Sequence, residues 1–161
     1  MANILLVEDN PDHAKLIMFA LRDEKSRGDL VSLRDEQVPP AGGDRICWVK
    51  DGEEALNFLY QQGEHQDKSK TFRPDLIILD LRLPKVDGNG VLKQVKDDLS
   101  LKSIPIVILS SSGNDEEIAR AYLNGVNSYV TKPVDFHQFR EKVKQIKSYW
   151  LSVCTFPTNQ K

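Results

Sequence analysis

Five short apolar segments alternate with amphipathic segments along this chain, and that alternation is the strongest constraint on its fold. The predicted strands cover residues 3–7, 45–49, 75–79, 105–109 and 128–130. Continuous apolar runs such as the first are typical of strands buried on both faces of a parallel sheet. Strands that alternate with helices over short connections build such a sheet with helices on both sides. The sequence therefore predicts a doubly wound α/β fold.

Helix starts are marked by side chains that can accept hydrogen bonds from free backbone N–H groups. Asn10 precedes a proline, a pair typical of an N-cap and the first helical position. Asp51, Asn114 and Asp135 are each followed three residues later by Glu or Gln, the spacing of a capping box. Helices are therefore predicted to open at these four positions, and the first should end near residue 25.

Two connections are longer than the fold requires. Residues 26–44 and 63–74 are polar, and both are expected to be exposed loops. We therefore expect one domain over residues 1–150, with an insertion at about 26–44. Residues 151–161 form a C-terminal extension with more apolar side chains than a disordered tail needs.

Charge and composition exclude several classes of function. The 22 basic and 24 acidic residues are interspersed and give a net charge of −2, which argues against nucleic acid as a partner. No apolar run approaches the roughly 20 residues of a membrane helix, and no signal peptide is present. The two cysteines, Cys47 and Cys154, lack a metal-binding spacing. A cytoplasmic protein is the simplest expectation.

Reactive side chains follow four of the predicted strands, at the edge where ligands bind in open α/β sheets. They are Glu8 and Asp9, Asp80, Ser110 and Lys132. Taken singly, each has an ordinary explanation as a helix-start charge, turn cap, loop hydroxyl or surface lysine. Converging carboxylates repel one another unless a cation is present, and a cluster of oxygen ligands favours Mg²⁺ or Mn²⁺.

Phosphoryl transfer is one chemistry that explains the whole set. A carboxylate such as Asp80 can act as a nucleophile toward phosphorus and form an aspartyl phosphate. The transfer needs in-line placement and cations on the phosphoryl oxygens more than covalent help. A metal ion and Lys132 would supply those cations, and Ser110 would supply a hydroxyl donor.

Four stretches that contain these residues resemble the receiver domain of two-component response regulators. They are residues 4–10, 74–88, 105–111 and 129–133. The resemblance extends over residues 3 to about 150 apart from the two long loops. It implies a flavodoxin-like (βα)₅ fold with strand order 2-1-3-4-5. It also implies that Asp80 takes a phosphoryl group from a sensor histidine kinase.

The resemblance also assigns roles around the acceptor. Glu8, Asp9, Asp80 and the backbone carbonyl of Arg82 would hold Mg²⁺ or Mn²⁺. Lys132 would bind the phosphoryl group and precede a cis proline, Pro133.

Ser110 and Tyr129 would form a switch pair. The Ser110 hydroxyl would move toward the added phosphoryl charge, and Tyr129 would turn into the vacated space. Arg82 departs from the commonest family pattern. We hypothesise that it pairs with Glu8 when no metal is bound and screens the acyl phosphate from water.

Residues 48–56 and 149–157 are similar to regulators that partner cyanobacterial phytochromes and bacteriophytochromes. Those relatives form homodimers, partly through the C-terminal extension, which makes Trp150, Leu151 and Phe156 candidate dimer contacts. The alternative is that these side chains fold back onto their own core. The three histidines are expected to lie at the surface or at caps rather than to act in catalysis; they are His13, His65 and His137.

The function predicted from these features is that of a single-domain response regulator. It would signal by binding another protein, pass the phosphoryl group to a histidine phosphotransfer protein, or act as a phosphate sink. It would assist its own phosphorylation and dephosphorylation without being a turnover enzyme. One alternative is an aspartyl-phosphate phosphatase or phosphotransferase, although Arg82 stands where such enzymes usually carry a second acid. Another alternative is a receiver-like scaffold that is not phosphorylated.

Overall fold

A five-stranded parallel sheet forms the centre of the molecule in the computed structural model, which describes residues 2–22 and 43–156. The strands are β1 (Asn3–Val7), β2 (Arg45–Val49), β3 (Leu76–Leu79), β4 (Ile106–Ser110) and β5 (Ser128–Thr131). Their order is β2-β1-β3-β4-β5, and every neighbouring pair is parallel. The predicted doubly wound sheet and its strand order are confirmed.

Five α-helices connect and follow the strands. They are α1 (Pro11–Leu21), α2 (Gly52–Tyr60), α3 (Gly88–Asp97), α4 (Asp115–Leu123) and α5 (Phe136–Ser148). The side chains of Asn10, Asp51, Asn114 and Asp135 each accept hydrogen bonds from the first turn of a helix, as predicted. The first helix ends at Leu21, earlier than expected.

The core lies in two layers, one on each face of the sheet. Alternate strand residues point to opposite faces, so Leu5 contributes to one layer and its neighbours Ile4 and Leu6 to the other. Helices α2, α3 and α4 cover the first layer, and α1 and α5 cover the second. This two-sided burial explains why β1, β3 and β4 are apolar at nearly every position.

The predicted 26–44 insertion lies largely outside the described residues. At its end, Asp44 accepts a hydrogen bond from the Ala2 backbone N–H at 2.9 Å and pairs with Lys147 of α5 at 3.0 Å. Residues 63–74 are described, and much of that connection is exposed. It is anchored at two points, because the rings of His65 and Phe72 pack edge-on against Phe58 at 5.3 and 5.2 Å.

The chain continues beyond α5 as a π-helical turn over Tyr149–Val153. Trp150 and Leu151 pack partly against the core layer beneath α1 and α5, and Phe156 is half-buried. Trp150 and Leu151 therefore fold back onto the core of their own chain. None of the helices in the described part of the chain is long and apolar enough to cross a membrane.

Candidate functional site

The loop after β1 carries two acids in different surroundings. Glu8 is only 1% exposed, whereas Asp9 is exposed. The backbone of Glu8 is fixed on both sides, because its N–H donates to the Val49 carbonyl at 3.1 Å and its carbonyl accepts from the Trp48 indole at 2.8 Å. The Asn10 N–H also donates to the Glu8 carboxylate at 3.1 Å. These hydrogen bonds fix Glu8 in place at the edge of the sheet, directly after β1.

Asp80 follows β3 and lies beside these acids because of strand register. Val7 pairs with Leu79, and the Asp80 N–H then donates to the Val7 carbonyl at 3.0 Å. Carboxylate oxygens of Glu8, Asp9 and Asp80 all lie within 4.8 Å of one another. The structure therefore brings the three predicted acids together in one pocket.

Lys132 closes this pocket from the end of β5. Its backbone N–H donates to the Ser110 carbonyl at 2.7 Å, which continues the parallel pairing by one residue. Its side chain is 4% exposed, and the ammonium lies 2.6 Å from Glu8 Oε2 and 3.1 Å from Asp80 Oδ2. A third contact, at 3.1 Å, joins the ammonium to Nδ1 of His13.

The electrostatics of the pocket follow from burial and from the excess of acid over base. Burial, together with the nearby Asp80 carboxylate, raises the pKa of Glu8 to about 7, although Lys132 acts in the opposite direction. Burial and the Lys132 charge lower the pKa of His13.

Three carboxylates around one ammonium leave a surplus of negative charge in a mostly buried site. Oxygen donors of this kind suit a hard divalent cation such as Mg²⁺ or Mn²⁺. The residues present therefore fit the predicted metal.

Ser110 ends β4, and Tyr129 lies in the neighbouring strand β5. Ser110 is fully buried, and its hydroxyl accepts a hydrogen bond from the Ser112 N–H at 3.3 Å. The Tyr129 hydroxyl donates to the Ser112 carbonyl at 2.7 Å, and its ring packs partly on the core. Both side chains are therefore tied to the same short loop after β4.

The expected pairing of Arg82 with Glu8 is wrong. The Arg82 guanidinium is 73% exposed and lies 3.4 Å from Glu117 of α4. Lys132 occupies the position next to Glu8 instead. The backbone of Arg82 does contact the site, because its N–H lies 3.4 Å from Asp80 Oδ1.

The prediction of a cis peptide before Pro133 is also wrong. The described residues contain no cis peptide bond, so the Lys132–Pro133 bond is trans. Trans is the preferred isomer of an X–Pro bond by about 0.5–1 kcal/mol.

His13 is a site residue that the sequence interpretation missed. It was expected to lie at the surface or at a cap, yet its ring reaches the buried ammonium. The available signal was its position in the first turn after the Asn10 cap, since that turn begins at the edge where the acids converge.

Comparison with known proteins agrees with the fold. The family model for the response regulator receiver domain matches residues 40–144. The chain therefore belongs to the response regulator receiver family. The match begins within the long connection, so β1 and its acids lie outside it. The two solved structures described below each match 98% of this chain.

Two curated relatives align over nearly the whole chain. A probable methanogenesis regulatory protein, FilR2 of Methanothrix harundinacea, is 43% identical and covers 92% of this chain and 83% of its own length. The response regulator Rcp1 of Synechocystis is 36% identical and covers 96% of this chain and 92% of its own.

Two solved structures show the same similarity in three dimensions. The phosphorylated cyanobacterial phytochrome response regulator RcpA superposes with a TM-score of 0.81 at 39% identity, and the match covers 98% of this chain and 99% of RcpA. A Mn²⁺-bound form of Rcp1 gives a TM-score of 0.80 at 35% identity, covering 98% of this chain and all of Rcp1.

Proposed function

We propose that this response regulator accepts a phosphoryl group at Asp80 and that residues 1–150 form its receiver domain. The observation that carries the proposal is one pocket in which a buried ammonium lies 3.1 Å from the Asp80 carboxylate, with two further carboxylates close by. The RcpA relative was solved in a phosphorylated form, which supports the same chemistry.

The proposed donor is the phosphohistidine of a sensor kinase. An Asp80 oxygen forms a bond to phosphorus while the P–N bond of the donor breaks, and the bonding pair leaves with the imidazole. Lys132 holds a phosphoryl oxygen through its ammonium, and Ser110 offers its hydroxyl to another. Glu8, Asp9, Asp80 and the Arg82 carbonyl would hold Mg²⁺ or Mn²⁺, which supplies positive charge to the phosphoryl oxygens when bound. The domain assists this transfer and the later hydrolysis of the aspartyl phosphate, in which water attacks phosphorus, the bond from phosphorus to the Asp80 oxygen breaks and inorganic phosphate leaves; it carries out no separate turnover reaction.

Phosphorylation would be transmitted through the loop after β4. The added charge and acceptor oxygens attract the Ser110 hydroxyl, which at present accepts from the Ser112 N–H. Tyr129 is bound to the carbonyl of that same Ser112, so movement of the loop would reposition its ring. The face formed by α4, β5 and α5 would then present a changed surface to a partner.

The proposed input partner is a phytochrome-type sensor histidine kinase, because RcpA, a cyanobacterial phytochrome response regulator, matches 98% of this chain and 99% of its own length. We propose a homodimer as the assembly, with the tail residues Trp150, Leu151 and Phe156 at or near its interface. A histidine phosphotransfer protein is a possible recipient of the phosphoryl group.

Intact-mass measurement tests the acceptor. The protein is incubated with acetyl phosphate and Mg²⁺, and one added PO₃ group is expected. Asp80→Asn should abolish the addition, whereas the control Asp97→Asn, at an exposed position that pairs with Lys93, should not. Equal labelling of the Asp80 variant would refute the proposal. Repeated release of phosphate by the wild type would favour the phosphatase alternative instead.

Phosphotransfer kinetics test the partner. A purified phytochrome-type kinase should phosphorylate this protein faster than a histidine kinase of another sensor class at equal concentration. Equal or reversed rates would contradict the phytochrome assignment, and the FilR2 likeness makes that comparison necessary.

Sizing of phosphorylated and unphosphorylated samples, with Trp150→Ala as a variant, tests whether a dimer forms and uses the tail.

A further inference from the structure

The Lys132 ammonium has three protons, and three acceptors lie within hydrogen-bond distance. They are Glu8 Oε2 at 2.6 Å, Asp80 Oδ2 at 3.1 Å and His13 Nδ1 at 3.1 Å. An ammonium can only donate, so the His13 nitrogen that faces it must carry a lone pair. The geometry thus fixes the tautomer of His13, with the ring proton on Nε2.

The His13 ring is held in this orientation from two sides. Its backbone N–H donates to the side chain of the Asn10 cap at 3.3 Å, which places the residue in the first turn of α1. Its ring lies against Phe139 of α5, with centroids 6.1 Å apart and planes at 41°. The imidazole is half-buried between these contacts and the lysine. Burial and the adjacent ammonium also lower the pKa of His13, which keeps the ring neutral.

The two carboxylate partners of Lys132 have other proposed tasks. Glu8 would hold the cation, and Asp80 would carry the phosphoryl group. His13 is the one neutral acceptor among the three, and its contact with Lys132 need not change during the transfer. His13 can therefore orient the Lys132 ammonium whether the two acids are charged or neutral.

We propose that His13 is a positioning residue for phosphoryl transfer, which accepts a hydrogen bond from Lys132 at Nδ1 and holds its ammonium toward Asp80. This inference rests on the proposed function of Asp80 as acceptor. It assigns to α1 a direct part in the reaction beyond supporting the acidic loop.

The test compares substitutions that keep or remove the acceptor atom. His13→Phe keeps a ring against Phe139 but removes the lone pair. His13→Asn keeps an oxygen close to the position of Nδ1. With acetyl phosphate and Mg²⁺, His13→Phe should lower the phosphorylation rate constant by roughly tenfold or more, as expected from the loss of a hydrogen bond to a charged group. His13→Asn should recover most of that rate, and His137→Phe, at an exposed position on α5, should leave it unchanged.

Equal rates for His13→Phe and the wild type would overturn the proposal. So would a His13→Asn variant as slow as His13→Phe, since that result would indicate a packing role for the ring. A second measurement does not depend on any variant folding. The ¹⁵N NMR spectrum of the wild-type imidazole should show the neutral Nε2–H tautomer at neutral pH, and a proton on Nδ1 would refute the inference.

These outcomes are separable from failure of the proposed function. If acetyl phosphate adds no phosphoryl group to the wild type, or adds one that survives Asp80→Asn, the assignment of Asp80 fails. The tautomer measurement would still decide whether His13 accepts from Lys132.

Discussion

Replacing the buried acid Glu8 by glutamine should stabilise the protein when no divalent cation is present. The pKa of Glu8 is raised from 4.5 to about 7 by burial and by Asp80. The folded protein therefore holds this proton more tightly than the unfolded chain does, and folding stability falls as the pH rises between these two values. The loss of folding stability caused by burying the ionised carboxylate is absent below pH 4.5 and complete above pH 7.

The size of this loss of folding stability follows from the pKa shift of Glu8. A difference of about 2.5 pKa values corresponds to about 3 kcal/mol in the free energy of unfolding. The carboxylate is 1% exposed, so solvent does not screen this effect. Glutamine keeps the shape and an acceptor oxygen for Lys132 but carries no charge. Glu8→Gln should therefore gain about 3 kcal/mol near pH 8 and only about 1 kcal/mol near pH 5.5.

Urea denaturation in the presence of a chelator measures this gain at both pH values. Asp9→Asn is the control, because its side chain is exposed and its removal should change stability by about 0.5 kcal/mol or less. Added Mg²⁺ should then stabilise the wild type more than Glu8→Gln, since the ion binds the folded state. A variant that is no more stable than the wild type near pH 8, or that gains equally at both pH values, would refute the reasoning.

Gly88→Ala should cost more than about 2 kcal/mol in a denaturation experiment, because its Cβ would clash with the backbone oxygen of Asp80. Gly113→Ala, whose Cβ meets nothing within 4 Å, is the control and should be near neutral. A thiol reagent should label Cys154 quickly and Cys47 only on unfolding, because burial raises the pKa of the Cys47 thiol to about 12; rapid labelling of both would contradict this. Arg82→Ala should leave the acyl phosphate lifetime nearly unchanged and alter stability by less than about 1 kcal/mol, because its exposed side chain pairs with Glu117. A shortened lifetime would show that the guanidinium does screen the phosphoryl group.

Local features of the fold were predictable from the sequence. Each predicted cap forms because a cap needs only one side chain and the first turn that follows it. The convergence of Glu8 and Asp80 was also accessible, since parallel strands of continuous apolar residues bring their ends to one edge. The strand order itself came from the family resemblance rather than from periodicity.

Two contacts between side chains of different elements were not predictable. His13 and Lys132 are 119 residues apart in sequence, and they meet only because α1 turns one ring toward the end of β5. Arg82 was assigned to Glu8 on charge alone. Lys132 and Arg82 could both have paired with that carboxylate. Lys132 does so because its backbone is hydrogen-bonded at the sheet edge, whereas the Arg82 side chain points outward toward α4.

The indole of Trp48 donates a hydrogen bond to the backbone oxygen of Glu8, so its fluorescence can report on the acidic loop. Any rearrangement of the acidic loop changes the polarity and hydrogen bonding around that fluorophore. Trp150 lies after α5 and packs against Tyr149 at 5.2 Å, so replacing it with phenylalanine would leave emission from Trp48 alone. Ion occupancy and phosphoryl turnover could then be followed in real time on unlabelled protein.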